Sequence, residues 1–370
     1  MTLPSPTTAG PSRPATEFAE ALATLRTPLH TELDFFLRAR RQSMAAVSPE
    51  SAELVDEVAR LIAGGGKRLR PALVVFAYRA CGGRSEAAAL RLGLATELLH
   101  TYLLIHDDIM DRADLRRGRA TTHAAFAELH RAQQGRGDAA HFGRAIAILA
   151  GDLAHTWSVE LSRPHPEAEG DPVAVARAFD AMCEEVIGGQ YLEMLLPRRE
   201  TPTAEELSRV LRLKSGRYTV ERPVELGALL AGAPAPVVEG LRAWGEAAGE
   251  AFQLQDDVLG TFGEAAAVGK PVASDLAEGK LTFLVHHALA GASPEDREWL
   301  RAALGRGRIE AAEIERARRV LRDSGALAAV LDMIEERLER ARRALAALPL
   351  PAAALEPLAA FLDYLRERDR

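Results

Sequence analysis

Residues 104–118, LIHDDIMDRADLRRG, hold four carboxylates and three arginines in fifteen positions. Asp107 and Asp111 are four residues apart, so on a helix they share one face about 6 Å apart along the axis, with Asp108 beside the first. Like charges at that spacing repel each other, and hard divalent cations such as Mg²⁺ are natural partners of carboxylates and phosphates. The apolar run LATELLHTYLLIH precedes the acids and brings them to the edge of a core. A solvated acidic face is the alternative for such a cluster taken alone.

A second acid pair occurs in a similar context. Asp256 and Asp257 close the predicted helix AWGEAAGEAFQLQDDVLG, in which small and apolar residues precede them. Basic residues stand near both acid clusters and after a triple glycine: Lys67, Arg68, Arg70, Arg116, Arg117, Lys270 and Lys280. Carboxylates, Mg²⁺ and cations together are typical of a polyphosphate site. The segment GGGKRLRP is not a P-loop, because it lacks the Walker spacing and no predicted strand precedes it.

The elements that must position these residues are helices. Beyond about residue 17, Ala, Leu, Glu and Arg dominate, and apolar residues recur three and four positions apart. Segments rich in Gly and Pro divide the chain into roughly a dozen helices, and no linker is long enough to separate two domains. The sequence predicts an all-α fold, with one large helical bundle domain over residues 17–370. Residues 1–16, rich in Pro and small polar residues, are predicted to be a disordered lead-in.

The composition argues against several classes of protein. Lys and Arg number 46 against 53 Asp and Glu, and the net charge of −7 disfavours a general nucleic-acid binder. The N-terminus lacks the basic start and apolar core of a signal peptide, and no uncharged apolar run reaches the roughly 18 to 20 residues that span a bilayer. Cys81 and Cys183 are far apart in sequence and suit a reducing compartment. We therefore expect a soluble, cytoplasmic chain without a membrane span.

Taken in order, several short motifs resemble those of the trans-type isoprenyl diphosphate synthases, the polyprenyl synthetase family. They run from about Gly64 to Lys280 and read GGGKRLRP, LLHTYLLIHDDIMD, RRG with TTH close behind, GDLA, GGQYLEM, KSGRYT, FQLQDD and GKPVASDLAEGKLT. Their succession in family order is far more specific than any one acid pair. Outside residues 64–280 the chain matches the family only in helical character.

The resemblance implies a fold, a reaction and a metal. Family members are helical bundles around a central cavity, and a homodimer is expected. An allylic diphosphate (dimethylallyl, geranyl or farnesyl) loses its diphosphate to leave a carbocation, isopentenyl diphosphate attacks it, and loss of a proton gives a trans product five carbons longer. Mg²⁺, or Mn²⁺ in its place, would neutralise the leaving diphosphate. By this resemblance the metal ligands would be Asp107, Asp108, Asp111, Asp256 and Asp257.

The resemblance also divides the other polar residues between two substrates. The allylic diphosphate would be bound by Arg116, Lys214 and Lys270. Isopentenyl diphosphate would be bound without metal by Lys67, Arg70, His100 and Arg117, and Lys280 is a further substrate-binding candidate. The groups expected near the nascent cation are Gln190, Ser215 and Gln253. No side chain is assigned as general base, because the departing diphosphate usually takes that role in the family.

Helix geometry supports the place of His100 in this scheme. His100 precedes Asp107 by seven residues, so it lies on nearly the same helix face about 10 Å along the axis, a separation that fits two adjacent diphosphates. The alternative is a histidine that satisfies its hydrogen bonds within the core.

Three positions depart from the family pattern. The second acid motif is often Asp-Asp-x-x-Asp, and Gly260 takes its last position here. We therefore expect metal binding with fewer supporting contacts. Ala120 stands where a proline often follows RRG, and Ser215 replaces the commoner threonine, but neither change removes a charged or hydroxyl group.

Two other functions compete with the condensation. A terpene cyclase would not need the Lys67, Arg70 and Arg117 set, and the Asn/Asp-x-x-Ser/Thr-x-x-x-Glu metal motif of cyclases is not seen after the second acid pair. A non-catalytic regulatory subunit of a heteromeric synthase usually lacks the first acid motif, which this chain keeps.

The apolar helix before Asp107 predicts the product length. In the family the growing tail runs beside this helix, so residues one and two turns earlier act as a floor. The candidates are Leu99, Tyr102 and Leu103, at eight, five and four residues before Asp107. Family members that stop at fifteen carbons often have an aromatic pair at the fourth and fifth positions, or an insertion in the acid motif, and neither is present. We predict geranylgeranyl diphosphate as the main product, with farnesyl diphosphate as the alternative. Tyr102 could instead be a core aromatic that faces a neighbouring helix.

Overall fold

The computed structural model of this 370-residue chain describes residues 12–163, 165–198, 202–263, 276, 278–307 and 309–367. The α-helices are, in chain order, α1 (Arg13–Val47), α2 (Ala52–Ala63), α3 (Leu69–Ala80), α4 (Glu86–Met110), α5 (Thr122–Ala132), α6 (Ala139–Ser162), α7 (Pro172–Leu195), α8 (Ala204–Val210), α9 (Arg222–Leu230), α10 (Ala235–Phe262), α11 (Phe283–Gly291), α12 (Pro294–Ala303), α13 (Ala311–Asp323), α14 (Ala326–Ala346) and α15 (Ala352–Glu367). A 3-10 turn covers Leu196–Arg198, a π-helix covers Leu211–Glu221, and a hairpin joins β1 (Leu115–Arg116) to β2 (Arg119–Ala120). The prediction of an all-α bundle is confirmed.

Helix α4 lies at the centre of the core. Its N-terminus is capped by Ser85, whose hydroxyl accepts a hydrogen bond from the amide of Ala88 at 3.3 Å. Along most of its length small and apolar residues are buried, with Leu98 and Leu99 fully covered. It packs against α3 on one side and α6 on another. The packing of α4 in the core therefore sets the position of the acids at its C-terminal end.

Helix α4 also has the length and composition of a membrane span. Of the helices in the described residues, it alone meets those two criteria. Within its most apolar stretch of 18 residues, 72% is buried inside the protein. Such burial is also what a core helix of a folded domain requires. The apolar character of α4 therefore agrees with its central position in the bundle.

Helix α1 corrects the predicted domain boundary. It begins at Arg13, so residues 13–16 of the predicted lead-in are helical, whereas residues 1–11 lie outside the described part of the chain. The Ser12 hydroxyl caps the first turn by accepting from the amide of Ala15, and Pro14 is compatible with a first-turn position. The first turns also pack on α15, where the Phe18 ring lies 5.3 Å from that of Phe361. This tertiary packing outweighs the local Pro-rich composition.

The π-helix Leu211–Glu221 runs from α8 directly into α9 and packs between α7 and α10. Its hydrogen bonds join residues i and i+5. Glycines permit the close approach of its neighbours: a Cβ on Gly249 of α10 would lie 2.4 Å from the carbonyl oxygen of Gly216, and one on Gly189 of α7 would lie 2.4 Å from the Lys214 amide nitrogen. Such π segments often occur at functional sites.

Charged side chains tie α7 to the π-helix and α9. Glu185 of α7 accepts from Arg222 at 2.6 and 2.9 Å and from Arg217 at 2.5 Å, and Arg222 also pairs with Glu225 at 2.5 Å. Burial alone would raise the pKa of Glu185, but Arg222 and Arg217 outweigh it and the pKa is lowered. The carboxylate therefore stays ionised between the two guanidinium groups.

Candidate active site

A cavity of about 1230 Å³ opens between α4, the β1–β2 hairpin, the π-helix and α10, with residues of α1 and α15 on its rim. It brings together twelve of the residues predicted from the sequence: Lys67, Arg70, His100, Asp107, Arg116, Arg117, Lys214, Ser215, Gln253, Asp256, Asp257 and Lys280. These residues span more than two hundred positions of sequence. The fold therefore assembles one site from all of the main predicted motifs.

The first acidic cluster, Asp107, Asp108 and Asp111, is held by cations from other segments. Arg116 of β1 lies 2.6 Å from Asp108 and 3.6 Å from Asp107, and Lys280 lies 3.5 Å from Asp111. The Asp108 side chain is only 3% exposed. Burial would lower the pKa of Arg116, but its hydrogen bond to Asp108 and the charges of the cluster raise it overall. The positive charge next to the acids is therefore permanent.

Lys214 extends the cluster from the π-helix. Its ammonium lies 3.6 Å from Asp107 and bonds to Glu193 of α7. Burial would lower the pKa of Lys214, yet the attraction of Glu193 and Asp107 outweighs it, so the pKa is raised. Glu193 was not singled out from the sequence, although it lies within the quoted motif GGQYLEM. It holds the Lys214 ammonium beside Asp107.

The second acid pair borders the same cavity from α10. The Gln253 amide donates to Asp257 at 2.8 Å, which orients that carboxylate. Gly260, where the family often has a third acid, also lines the cavity.

The donor set fits a hard divalent cation, because carboxylates of α4 and α10 border one cavity that cations line as well. Among the described residues, no group of three or more Asp, Glu, His or Cys side chains converges to form a closed metal site.

The basic cluster, Lys67, Arg70, His100 and Arg117, lines the same cavity as Arg116. Arg117 adopts a left-handed conformation with φ of 52° and donates to the carbonyl of Gly65, which joins the hairpin to the loop before α3. Such a conformation is uncommon for a residue other than glycine and is often found at functional sites. Burial, with repulsion from Arg116 and Arg68, lowers the pKa of Arg117. The cluster therefore concentrates positive charge ready for an anion.

Arg68 anchors the loop that carries Lys67 and leads into α3, where Arg70 lies. Its buried guanidinium donates to Glu97 of α4 and to the carbonyl of Ile62, each at 2.5 Å. It has a φ of 55°, and the preceding Gly66 has a φ of 146°, a value that requires glycine. The Lys67 ammonium lies 5.3 Å from the ring centre of Tyr364 in α15. The ion pair of Arg68 with Glu97 thus holds the loop against α4, and Tyr364 places α15 beside the same loop.

His100 meets a residue that the sequence did not single out. Its Nδ1 lies 2.7 Å from the hydroxyl of Tyr218 in the π-helix, and the Arg70 guanidinium lies 4.1 Å from the centre of the Tyr218 ring. Burial, and then Arg70, lowers the pKa of His100 well below its usual value. Burial raises the pKa of Tyr218 to about 12. Tyr218 follows Lys214 by four residues, and that spacing was the available signal that both face one site.

Several predicted residues lie elsewhere. Asp108 and Asp111 are adjacent to the cavity lining rather than part of it, and Gln190 of α7 donates to the sulfur of Met110 at 3.8 Å.

Leu99 is fully buried and Leu103 is half-buried in the core, and neither lines the cavity. The Tyr102 ring lies between His106 at 4.7 Å and His155 of α6 at 4.9 Å. Thr101 and Leu104 line the cavity from α4 instead. Lys270 lies outside the described residues.

Comparisons with known proteins agree with this site. The family model described as polyprenyl synthetase matches residues 52–321. The short chain isoprenyl diphosphate synthase of Methanothermobacter thermautotrophicus is 34% identical over 334 residues, which cover 89% of this chain and 94% of that protein. The geranylfarnesyl diphosphate synthase of Aeropyrum pernix is 36% identical over 317 residues, covering 83% of this chain and 92% of that protein.

Among solved structures, the geranylgeranyl pyrophosphate synthase of Corynebacterium glutamicum complexed with isoprenyl diphosphate and magnesium has a TM-score of 0.84. It is 31% identical, and the match covers 97% of this chain and 100% of that one. The matched residues 52–321 include the acid clusters and the basic cluster that lines the cavity. The chain belongs to the polyprenyl synthetase family of trans-prenyltransferases.

Proposed function

We propose that this chain condenses isopentenyl diphosphate with an allylic diphosphate to give a trans-prenyl diphosphate. The observation that carries the proposal is the presence of two different anion subsites on one cavity. One combines the acids of α4 and α10 with Lys214 and Arg116, and the other is the basic cluster. A carboxylate-rich subsite suits a diphosphate that arrives with metal, whereas a purely basic subsite suits one that arrives without it.

We propose Mg²⁺ as the metal, with Mn²⁺ as a possible substitute, held by Asp107 and Asp111 on α4 and by Asp256 and Asp257 on α10. When bound, the metal neutralises charge on the leaving diphosphate. Arg116 and Lys214 bind the same diphosphate, and their positions are set before reaction by Asp108 and Glu193. Such preorganised charge stabilises the developing anion more than water would.

The side chains around the allylic carbon bind and orient rather than react. Ser215 and Gln253 line the cavity and place dipoles where a carbocation would form. Neither carries a charge that would trap the cation. Isopentenyl diphosphate, held by the basic cluster, attacks the cation, and the departed diphosphate accepts the proton.

We propose geranylgeranyl diphosphate as the main product, with farnesyl diphosphate as the alternative. The position five residues before Asp107 has an aromatic residue, Tyr102, and the position four before has Leu103, so this stretch of α4 has one aromatic residue rather than the pair expected for a fifteen-carbon product. The similarity to the Corynebacterium glutamicum enzyme supports a product of this length.

We propose that the chain acts as a homodimer. On α5, α6 and α7, large apolar side chains are exposed, and these are Leu129, Ile148, Leu149, Val173, Ile187, Tyr191 and Met194. Exposed apolar side chains in this number on three consecutive helices favour a face that another subunit covers. A second copy of the chain is the proposed partner. A role as a non-catalytic subunit is disfavoured by the acidic cluster and Lys214, both in place here.

We also propose a cytoplasmic location, no membrane span and no nucleic-acid partner. The net charge of −7 disfavours binding to nucleic acid, and the burial of α4 agrees with a role in the core.

The decisive experiment supplies the purified protein with Mg²⁺, isopentenyl diphosphate and each allylic diphosphate in turn. A product that is longer by five carbons for each addition supports the proposal. Cyclisation of an allylic diphosphate alone would indicate a terpene cyclase, and no turnover without a second protein would indicate a regulatory subunit.

Separate titrations of the two substrates test the two subsites. Lys67→Ala and Arg117→Ala should raise KM for isopentenyl diphosphate, because each removes a charged donor of the basic cluster. Lys214→Ala should raise KM for the allylic diphosphate instead. The exchanged pattern would contradict the assignment of the two subsites.

A further inference from the structure

The hydroxyl of Tyr218 is in contact with a ring nitrogen of His100, one of the residues assigned to isopentenyl diphosphate. Nδ1 of His100 is 2.7 Å from this hydroxyl, across 118 positions of sequence. Within the described residues, Nε2 of His100 makes no hydrogen bond, and the side chain lines the cavity. Nε2 is therefore the ring nitrogen left for a ligand.

The direction of the Tyr218–His100 hydrogen bond follows from the charges around it. The Arg70 guanidinium lies over the Tyr218 ring, 4.1 Å from its centre, and draws electron density from it. A phenol oxygen poorer in electrons is a weaker acceptor and a stronger donor. The contact fits a hydroxyl that donates to Nδ1, and in that arrangement the proton of the neutral imidazole resides on Nε2.

The neutral state of His100 is consistent with its surroundings. Burial comes first among the causes that lower its pKa well below the usual value, followed by Arg70, Arg116, Arg117 and Arg68. The Tyr218 hydroxyl stays protonated, since burial raises its pKa to about 12. His100 and Tyr218 are therefore both uncharged at neutral pH.

Tyr218 also supports the second member of the cluster. The Arg70 guanidinium lies over its ring, and the hydroxyl of the next residue, Thr219, accepts from Arg70 at 2.8 Å. One turn of the π-helix thus orients two side chains from two other helices, α3 and α4. The same π-helix bears Lys214 at the other subsite.

We infer that Tyr218 is a positioning residue for isopentenyl diphosphate: its hydroxyl fixes His100 in the form that donates from Nε2, and its ring fixes the plane of Arg70. The inference rests on the proposed function, because it assigns these donors to that substrate. A diphosphate oxygen can accept from Nε2–H, and it could not bond to an unprotonated Nε2.

The test separates the hydroxyl from the ring. Tyr218→Phe keeps the surface beneath Arg70 and removes the donor to Nδ1, so KM for isopentenyl diphosphate should rise roughly three- to tenfold, with kcat and KM for the allylic diphosphate little changed. Tyr218→Leu also removes the ring and should raise that KM further. The matched control is Tyr78→Phe, which removes a buried phenol hydroxyl bonded to Glu169 at 2.6 Å, outside the cavity. It should leave both KM values unchanged.

The tautomer of His100 is a second measurement, and it does not depend on the stability of the fold. Long-range proton–nitrogen correlation spectra of the ¹⁵N-histidine protein, with His100 assigned through His100→Asn, should show the Nε2–H form in the wild type and in Tyr78→Phe. Tyr218→Phe should show a mixture of both tautomers. An Nδ1–H form in the wild type, or an unchanged KM for isopentenyl diphosphate in Tyr218→Phe, would overturn the inference.

The spectra need no substrate, so they distinguish the two proposals. A protein with the Nε2–H form and no condensation would refute the proposed function. A protein that condenses its substrates with His100 in the Nδ1–H form would refute only the role of Tyr218.

Discussion

At the scale of single residues, the three acids at the end of α4 have different environments. Asp107 borders the cavity, lies 3.6 Å from both Arg116 and Lys214, and is therefore placed for ligands. Asp108 is buried and bonded to the Nε and Nη2 atoms of Arg116. We infer that Asp108 mainly positions Arg116, while Asp107 and Asp111 bear most of the metal binding.

Asp107→Ala and Asp111→Ala should each reduce turnover by roughly a hundredfold or more, because each removes a ligand that holds charge against the leaving diphosphate. Steady-state assays at saturating Mg²⁺ measure this loss, and circular dichroism should show an unchanged helical fold. The control is Asp114→Ala, since Asp114 is 87% exposed in the hairpin region and is expected to leave turnover near the wild-type value. Near-normal turnover of either variant at α4 would rule out the metal assignment.

At the scale of elements, the links between helices determine how the site is held. Glu185 of α7 bonds to Arg217 of the π-helix and to Arg222 of α9, so one carboxylate joins three elements. The pairs are mostly buried, with Arg222 at 8% exposure and Glu185 at 18%. Loss of the carboxylate would leave Arg222 with Glu225 and Arg217 with Glu221 as the remaining ion pairs among the described residues, so each largely buried guanidinium group would lose a charged partner.

Glu185→Gln should therefore lower the free energy of unfolding at pH 7 by about 3 kcal/mol. The folded-state pKa of Glu185 is lowered, so its contribution is present above the unfolded value of 4.5 and is lost as the pH falls below that. The difference between wild type and variant, followed by chemical denaturation, should shrink from pH 7 to pH 4. Glu205→Gln serves as control, because that pair with Arg209 is exposed. Equal losses in the two variants would contradict the role of burial.

The product-length prediction belongs to α4 and α6 together. If Tyr102 and its contact with His155 form part of the floor, Tyr102→Ala should lengthen the product beyond twenty carbons and Leu103→Phe should shorten it toward fifteen. Each helical turn advances about 5.4 Å, close to one isoprene unit. Chromatography of the dephosphorylated products measures both changes. Unchanged lengths in both variants would place the floor elsewhere, with Thr101 and Leu104 as the next positions on α4 to examine.

The sequence predicted the elements far better than it predicted their contacts. The acids of α4 were identifiable because an apolar helix runs directly into them. The π-helix was not, because apolar periodicity does not distinguish hydrogen bonds to i+5 from those to i+4. The pairing of His100 with Tyr218, and of Arg68 with Glu97, depends on how separate segments meet in space. Helix α1 started earlier than its composition indicated because α15 covers its first turns.

At the scale of the whole molecule, the exposed apolar side chains of α6 and α7 predict the assembly state. Leu149 is 51% exposed and Ile187 is 48% exposed. Leu149→Glu and Ile187→Glu should each convert a dimer to monomers, because each places a charge in the proposed apolar interface. Sedimentation velocity measures the change in mass. Val47→Glu adds the same charge at a 74% exposed position on α1 and should leave the dimer intact. Wild-type protein that sediments as a monomer would contradict the proposed interface.

The apolar character of α4 also affects how the protein is made. During synthesis α4 emerges about fifty residues before the end of α6, the helix against which it packs most extensively. At roughly 5–20 residues per second, a segment with the length and composition of a membrane span waits several seconds for α6, with only the smaller contacts to α1, α2, α3 and α5 available first. The nascent chain therefore passes through a stage that membrane-targeting factors and chaperones could both recognise, and we expect this stage to end once α6 can pack against α4.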